Sequence, residues 1–145
     1  MKKILILFFI SISLLACSGS DDNNNANNPY LNIPVVNLTL NLNLPEYTIL
    51  KFPGNSATIT NQGVKGIVIY SINDTQYSAF ELSDPNHNPS SCSRMVIETP
   101  LATCECSDGN IYNIITGEHS SQDNTKYPMF RYNAVREGDV IRIYN

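Results

Sequence analysis

The stretch Cys104-Glu105-Cys106-Ser107-Asp108-Gly109 (CECSDG) places two thiols one residue apart, directly before a glycine turn. Only one other cysteine, Cys92, lies beyond the N-terminal region. Three thiols permit one disulfide and leave one cysteine over. The residues alone therefore leave three uses open for this stretch: a metal site, a redox pair, or half of a structural disulfide.

The N-terminus predicts export and lipid attachment. Lys2 and Lys3 precede an apolar run, residues 4–15, of the length of a signal peptide. The run ends in Leu-Leu-Ala-Cys (residues 14–17), which resembles the bacterial lipobox, where cleavage precedes a cysteine that receives lipid. Residues 18–22 (SGSDD) resemble those of outer-membrane lipoproteins exposed at the surface of Bacteroidetes. An ordinary secretory peptide with a chance cysteine is the alternative.

The chain divides into three parts. Residues 1–16 are the predicted signal peptide, and residues 17–30 are the lipidated Cys17 with a polar tether. Residues 18–28 have no bulky apolar side chain and cannot bury enough surface to offset the entropy of ordering. Residues 31–145 are long enough for one domain with one core. The net charge of −4 and the lack of a basic cluster argue against nucleic acid as a partner.

Alternating apolar residues predict an all-β domain. In residues 35–44 the residues Val36, Leu38, Leu40, Leu42 and Leu44 share one face. Residues 66–71 and 76–82 form a predicted hairpin around Asn73-Asp74, and residues 50–52 a short extended piece. Further strands are predicted at residues 57–60, 95–98, 101–104, 110–115, 129–135 and 140–144.

From about residue 66 to residue 144 the chain resembles the Rieske domain, a small all-β fold that carries a [2Fe–2S] cluster. An aromatic-rich strand (77–82) precedes a first loop with Pro85, and CECSDG opens a second loop. Ile-Tyr-Asn (111–113), Thr-Gly-Glu (116–118) and a closing hairpin (132–144) follow in the order of that family. The resemblance implies small antiparallel sheets with two cluster-type loops at one end.

The cluster ligands of that family are mostly missing. A C-x-H first loop and a C-x-x-H second loop hold the irons, and the corresponding positions here are Asp84, Asn86, Cys104 and Ser107. Only Cys104 is a ligand of the right type, so we expect that the cluster is lost and that there is no cofactor. The alternative is [2Fe–2S] or another metal, such as zinc or copper, held by His87, Cys92, Cys104 and Cys106, with Asp84 nearby.

The resemblance also implies a disulfide. Respiratory-type Rieske domains carry a bridge between their two cluster loops, and Cys92 and Cys106 match its two positions. Cys104 is then a buried free thiol, and a Cys92–Cys104 bridge is the rival pairing. The carboxylates Asp84, Glu98, Glu105 and Asp108 lie in or beside loops and are expected to be solvated. No acid–base pair is predicted from them.

Two functions from different classes follow. The first is a non-enzymatic lipoprotein, anchored in the outer membrane through Cys17, whose Rieske-like domain serves as a structural or interaction module for an unknown protein partner. The second is an electron-transfer domain with the altered ligand set. An enzyme is not expected, because the sequence has no nucleophile elbow, phosphate-binding glycine loop or zinc-protease motif.

Overall fold

The computed structural model describes residues 28–121 and 123–145. The predicted signal peptide, Cys17 and the tether as far as residue 27 lie outside these residues. The elements are β1 (Asn37–Asn41), a 3-10 helix (Thr48–Lys51), β2 (Ser56–Ile59), β3 (Ile67–Ser71), β4 (Tyr77–Glu81), β5 (Val96–Glu98), β6 (Leu101–Thr103), β7 (Ile111–Asn113), β8 (Arg131–Glu137) and β9 (Val140–Tyr144). No helix in the described part of the chain has the length and apolar character that crossing a bilayer requires.

The strands form two antiparallel sheets, which confirms the all-β prediction. A six-stranded sheet has the order β1-β9-β8-β4-β3-β2, and a three-stranded sheet has the order β5-β6-β7. The predicted hairpin is β3–β4, with Ile67 opposite Glu81 and Ser71 opposite Tyr77. The loop between β4 and β5 (residues 82–95, the first loop) and the loop between β6 and β7 (residues 104–110, the second loop) lie side by side.

Two local predictions were wrong. The extended piece at residues 50–52 is instead the end of the 3-10 helix, because the amides of Leu50 and Phe52 bond three residues back rather than to a strand. The first strand ends at Asn41, whose side-chain oxygen accepts the amide of Asn43 and turns the chain before Pro45. Leu44 is consequently 43% exposed and does not share the buried face of Leu40.

The β3–β4 hairpin separates two apolar cores. The first core contains Val36, Leu40, Leu42, Leu50, Ile59, Ile67, Ile69, Tyr77, Ala79, Tyr132, Ile141 and Ile143. The second core, which lies toward the small sheet, contains Val68, Phe80, Leu82, Met95, Ala102, Cys104, Tyr112, Ile114 and Met129. Side chains alternate between the faces of a strand, so Ile67 and Ile69 enter one core and Val68 the other. This explains the continuous β-branched run of β3, which is buried on both faces.

A buried carboxylate, Glu81 at the end of β4, fixes the turn before β3. Its oxygens accept the amides of Val64 and Lys65, each at 2.8 Å, and the hydroxyl of Tyr132 at 2.8 Å. These hydrogen bonds offset the cost of burying the carboxyl group away from water. Gly63 packs against this carboxylate in a left-handed conformation, with φ of 72°.

We expect Gly63→Ala to destabilise the protein more than Gly138→Ala. Both glycines have positive φ, so each alanine should cost about 1–2 kcal/mol of backbone strain. A Cβ at Gly63 would also overlap the Glu81 carboxylate, whereas nothing lies within 4 Å of a Cβ at Gly138. Disturbing the buried hydrogen bonds should add about 1–3 kcal/mol to the loss at Gly63. Urea unfolding measures both, and equal losses would contradict the role of Glu81.

Candidate functional site

A disulfide joins the two loops. Cys92 of the first loop is bonded to Cys106 of the second, with their Cα atoms 5.1 Å apart. Cys104 is a free thiol, only 4% exposed, at the edge of the second core. This is the pairing that the Rieske resemblance implied, and the rival bridge between Cys92 and Cys104 is not the one formed.

Backbone hydrogen bonds close both loops at their bases. In the first loop the amide of Asp84 donates to Ser93 and the amide of Met95 donates to Leu82. In the second loop the amide of Cys104 donates to the carbonyl of Asn110, 2.9 Å away. These short closures leave the tips of the loops to face each other, where the disulfide and the polar side chains lie.

Asp84 is buried, so the expectation that it is solvated was wrong. Its side chain has no exposed surface. Its carboxylate accepts the amide of Asn86 and the hydroxyl of Tyr112, each at 2.8 Å, and the side-chain amide of Asn110 at 2.9 Å. These three donors come from the first loop, β7 and the second loop. A single carboxylate therefore ties three segments together.

The side-chain amide of Asn86 is fully occupied. It donates to the hydroxyl of Tyr112 and to the carbonyl of Tyr127, each at 2.8 Å, and it accepts the amide of Tyr127 at 2.9 Å. Next to it, the side chain of Asn28 donates to the carbonyl of Pro85 at 2.8 Å. The first loop is thus held by the N-terminal segment, by β7 and by the segment before β8.

Four potential metal ligands converge beside this network. The ring nitrogen Nε2 of His87 lies 3.3 Å from Cys104 Sγ, 3.1 Å from Asp108 Oδ2 and 3.6 Å from Asp84 Oδ2. Cys104 Sγ lies 3.7 Å from Asp108 Oδ2. All four ligand atoms lie within 4.8 Å of one another. His87 and Asp108 are about one quarter exposed, so the cluster opens to solvent on their side.

Burial keeps the Cys104 thiol protonated well above neutral pH. Loss of hydration raises the pKa of its thiol to about 12, and the hydrogen bond and negative charge of Asp84 act in the same direction. Burial likewise raises the pKa of Tyr112. A catalytic cysteine requires the opposite shift. The His87 ring also turns Nδ1 to the carbonyl of Asn88, 3.0 Å away, and not to a carboxylate as in a nucleophilic triad.

The residues do not fit a [2Fe–2S] cluster. Such a cluster needs thiolate or imidazole ligands on both irons, and of the four family positions only Cys104 offers one. Asn86 is committed to its hydrogen bonds, and Ser107 is exposed. The alternative set also loses two members, because Cys92 and Cys106 are bonded to each other. One thiol and one imidazole remain, Cys104 and His87.

The comparisons with known proteins identify no family. No family model matches the chain, and no curated protein matches it. Among solved structures, the chain is similar to one in a complex of reduced oxygenase and oxidized ferredoxin in carbazole 1,9a-dioxygenase. The identity is 20% and the TM-score 0.44, with 63% of this chain and 82% of the other covered.

Three further residues take part that the sequence did not single out for this site: Asp108, Asn110 and Tyr112. Asn110 donates to the carboxylates of both Asp84 and Asp108, and its amide closes an Asp-Gly turn by bonding to Asp108. The Asp-Gly pair could have indicated Asp108, because this pair is typical of a tight turn. In the structure Gly109 has a φ of 70°, and the turn brings Asp108 close to Cys104. No sequence signal indicated Tyr112, whose hydroxyl meets Asp84 from 28 residues away.

We expect stability to fall as pH rises above 9. The thiol of Cys104 ionises near 9.0 and the phenols of Tyr112 and Tyr132 near 10.0 in the unfolded chain, whereas burial raises all three pKa values in the folded chain. The unfolded state therefore loses protons first, and each group removes up to about 1.4 kcal/mol per pH unit. Below pH 9 this stabilisation is fully present.

Cys104→Ala isolates the contribution of the thiol. Urea unfolding between pH 9 and 10, where the thiol is the first of the three to ionise, should show a shallower fall in stability for this variant than for the wild type. Tyr132→Phe is the control, and its slope should change mainly above pH 10. A Cys104→Ala slope equal to that of the wild type between pH 9 and 10 would contradict the raised pKa of the thiol.

Proposed function

We propose that this chain is an outer-membrane lipoprotein, anchored through Cys17, whose Rieske-like domain carries no [2Fe–2S] cluster and serves as a structural or interaction module. The observation that carries the proposal is the replacement of the cluster ligands by a closed polar network. Asp84 and Asn86 stand at the positions of the first-loop ligands and bind Tyr112 and Tyr127 instead.

The polar network and the disulfide hold the two loops together, which is the structural role that a cluster would otherwise have. A cluster ligated from two loops holds them together, and here the Cys92–Cys106 bridge spans the same loops. A bridge closing a loop of this length stabilises a small domain by about 3 kcal/mol. The loop end therefore has a fixed shape without iron, which is what an interaction surface requires.

Exposed apolar side chains elsewhere support a role in protein contacts. Ile49 is 45% exposed and Phe52 62% exposed, on either side of the end of the 3-10 helix, and Leu44 precedes them at 43%. Large apolar side chains that stay in water are available to a partner. The acidic net charge argues against nucleic acid as the partner.

Fractionation of cells tests the anchor. We expect the wild-type chain in the outer-membrane fraction, with the mass of the mature chain increased by acyl groups. Cys17→Ala should lose both the added mass and the membrane attachment, because no thiol remains to be acylated. Cys104→Ala is the matched control and should keep both. A Cys17→Ala protein that keeps the added acyl mass and the membrane fractionation would contradict the anchor.

The composition of the purified protein tests the loss of the cluster. We expect no visible absorption of the iron–sulfur type, no acid-labile sulfide, and a Cys92–Cys106 peptide in a non-reducing digest. Iron and labile sulfide in the ratio of a [2Fe–2S] cluster, together with free Cys92 and Cys106, would overturn the proposal. That result would favour the second candidate, electron transfer through His87, Cys92, Cys104 and Cys106.

A further inference from the structure

We propose that Asp84, His87, Cys104 and Asp108 bind a single divalent metal ion of the zinc type. This goes beyond the proposed anchoring and interaction role and does not depend on it. The ligand set is one thiolate, one imidazole nitrogen and two carboxylate oxygens, drawn from the first and second loops. The ion would sit between the two loops, next to the free Cys104 and not at the Cys92–Cys106 bridge.

Three of the four short separations fall in the range of one tetrahedral ion. Zinc binds sulfur at about 2.3 Å and nitrogen or oxygen at about 2.0–2.2 Å, so the ligand atoms of a tetrahedral site lie about 3.3–3.7 Å apart. The separations from His87 Nε2 to Cys104 Sγ, Asp108 Oδ2 and Asp84 Oδ2 are 3.3, 3.1 and 3.6 Å. The separation between Cys104 Sγ and Asp108 Oδ2 is 3.7 Å. Small side-chain shifts suffice to admit an ion.

The charges around His87 also favour a cation. Its Nδ1 faces the carbonyl of Asn88, which is where an N–H would be donated. The lone pair of a neutral ring is then on Nε2, which points at the carboxylate oxygens of Asp108 and Asp84. Three electron-rich atoms repel one another unless a proton or a metal ion lies between them.

Three of the four ligands are oriented by a further hydrogen bond. The Asn88 carbonyl faces the His87 ring, Tyr112 donates to Oδ1 of Asp84, and Asn110 donates to the Oδ2 atoms of both carboxylates. Such outer partners fix ligand geometry in protein metal sites and change metal affinity about 10- to 100-fold. Asn110 spaces the two carboxylates, which positions both for one ion.

The donor set selects the class of metal. A thiolate is a poor ligand for Mg²⁺ or Ca²⁺, which take oxygen, whereas sulfur, nitrogen and oxygen together suit Zn²⁺ and its probe Co²⁺. Four protein ligands complete a tetrahedron, which is typical of structural rather than catalytic zinc sites. On binding, the Cys104 S–H bond breaks, the thiolate bonds the metal, and one proton passes to solvent.

Cobalt titration of the full chain, purified in detergent and treated with a chelator, tests the site. We expect one Co²⁺ per chain, with a thiolate-to-cobalt absorption band and release by added Zn²⁺. Cys104→Ser should remove the band, and Asp108→Asn and His87→Gln should each weaken binding at least about 10-fold. Far-UV circular dichroism and an intact Cys92–Cys106 bridge verify that each variant is folded.

His119→Gln is the matched control. His119 lies at the same end of the domain and approaches Asn110 Oδ1 at 3.2 Å, but it is not among the four ligands. The affinity of the His119→Gln protein for Co²⁺ should stay within about threefold of that of the wild type. Binding that survives Cys104→Ser unchanged, or that appears only after the disulfide is reduced, would overturn the proposal. Failure of the wild type to bind Co²⁺ would also overturn it.

Discussion

The buried carboxylate of Asp84 is the interaction on which the end of the domain depends. A fully buried carboxylate is stable only where hydrogen-bond donors replace the water that it loses. Asp84 accepts hydrogen bonds from the backbone amide of Asn86, the hydroxyl of Tyr112 and the side-chain amide of Asn110, which lie in three different segments. Removing any of these donors would leave a buried acceptor unsatisfied at a cost of about 1–3 kcal/mol. The first loop, β7 and the second loop are positioned by this one group.

A second buried carboxylate, Glu81 at the end of β4 itself, works in the same way. Glu81 holds the turn before β3 through backbone amides, and it receives the hydroxyl of Tyr132 as Asp84 receives that of Tyr112. β4 and the loop that follows it therefore carry two buried carboxyl groups three residues apart, each bonded to several donors. Glu81 holds the turn before β3 in the large sheet. Asp84 positions the two loops, in which His87 Nε2 lies 3.3 Å from Cys104 Sγ.

The sequence predicted the strands well because the sheet imposes a period of two on buried residues. The closing β8–β9 pair follows that pattern, and so do the buried Val36, Leu40 and Leu42 in and beside β1. The β3–β4 hairpin was predicted instead from its continuous apolar run and the turn at Asn73-Asp74, since both strands are buried on both faces. The 3-10 helix at Thr48–Lys51 was missed, since its only signal is local hydrogen bonding around a single buried leucine.

The site was predicted less completely because its contacts are long-range and polar. The Cys92–Cys106 pairing followed from a resemblance, and spacing alone left it open. The burial of Asp84 has no periodic signal, since the side chain lies in a loop rich in Asn, Pro and Ser. The same holds for Asp108, which reaches Cys104 only through the turn at Gly109. The ligand set changed accordingly, from three cysteines and His87 to one cysteine, His87 and two aspartates.

The central proposal is that the loop end is arranged for one metal ion rather than for a two-iron cluster. X-ray absorption at the zinc edge of the metal-loaded protein tests it most directly. The account predicts one sulfur neighbour at about 2.3 Å, nitrogen and oxygen neighbours at about 2.0–2.2 Å, and no second metal. Two or more sulfur neighbours, a metal–metal distance, or a shell of oxygen alone would contradict it.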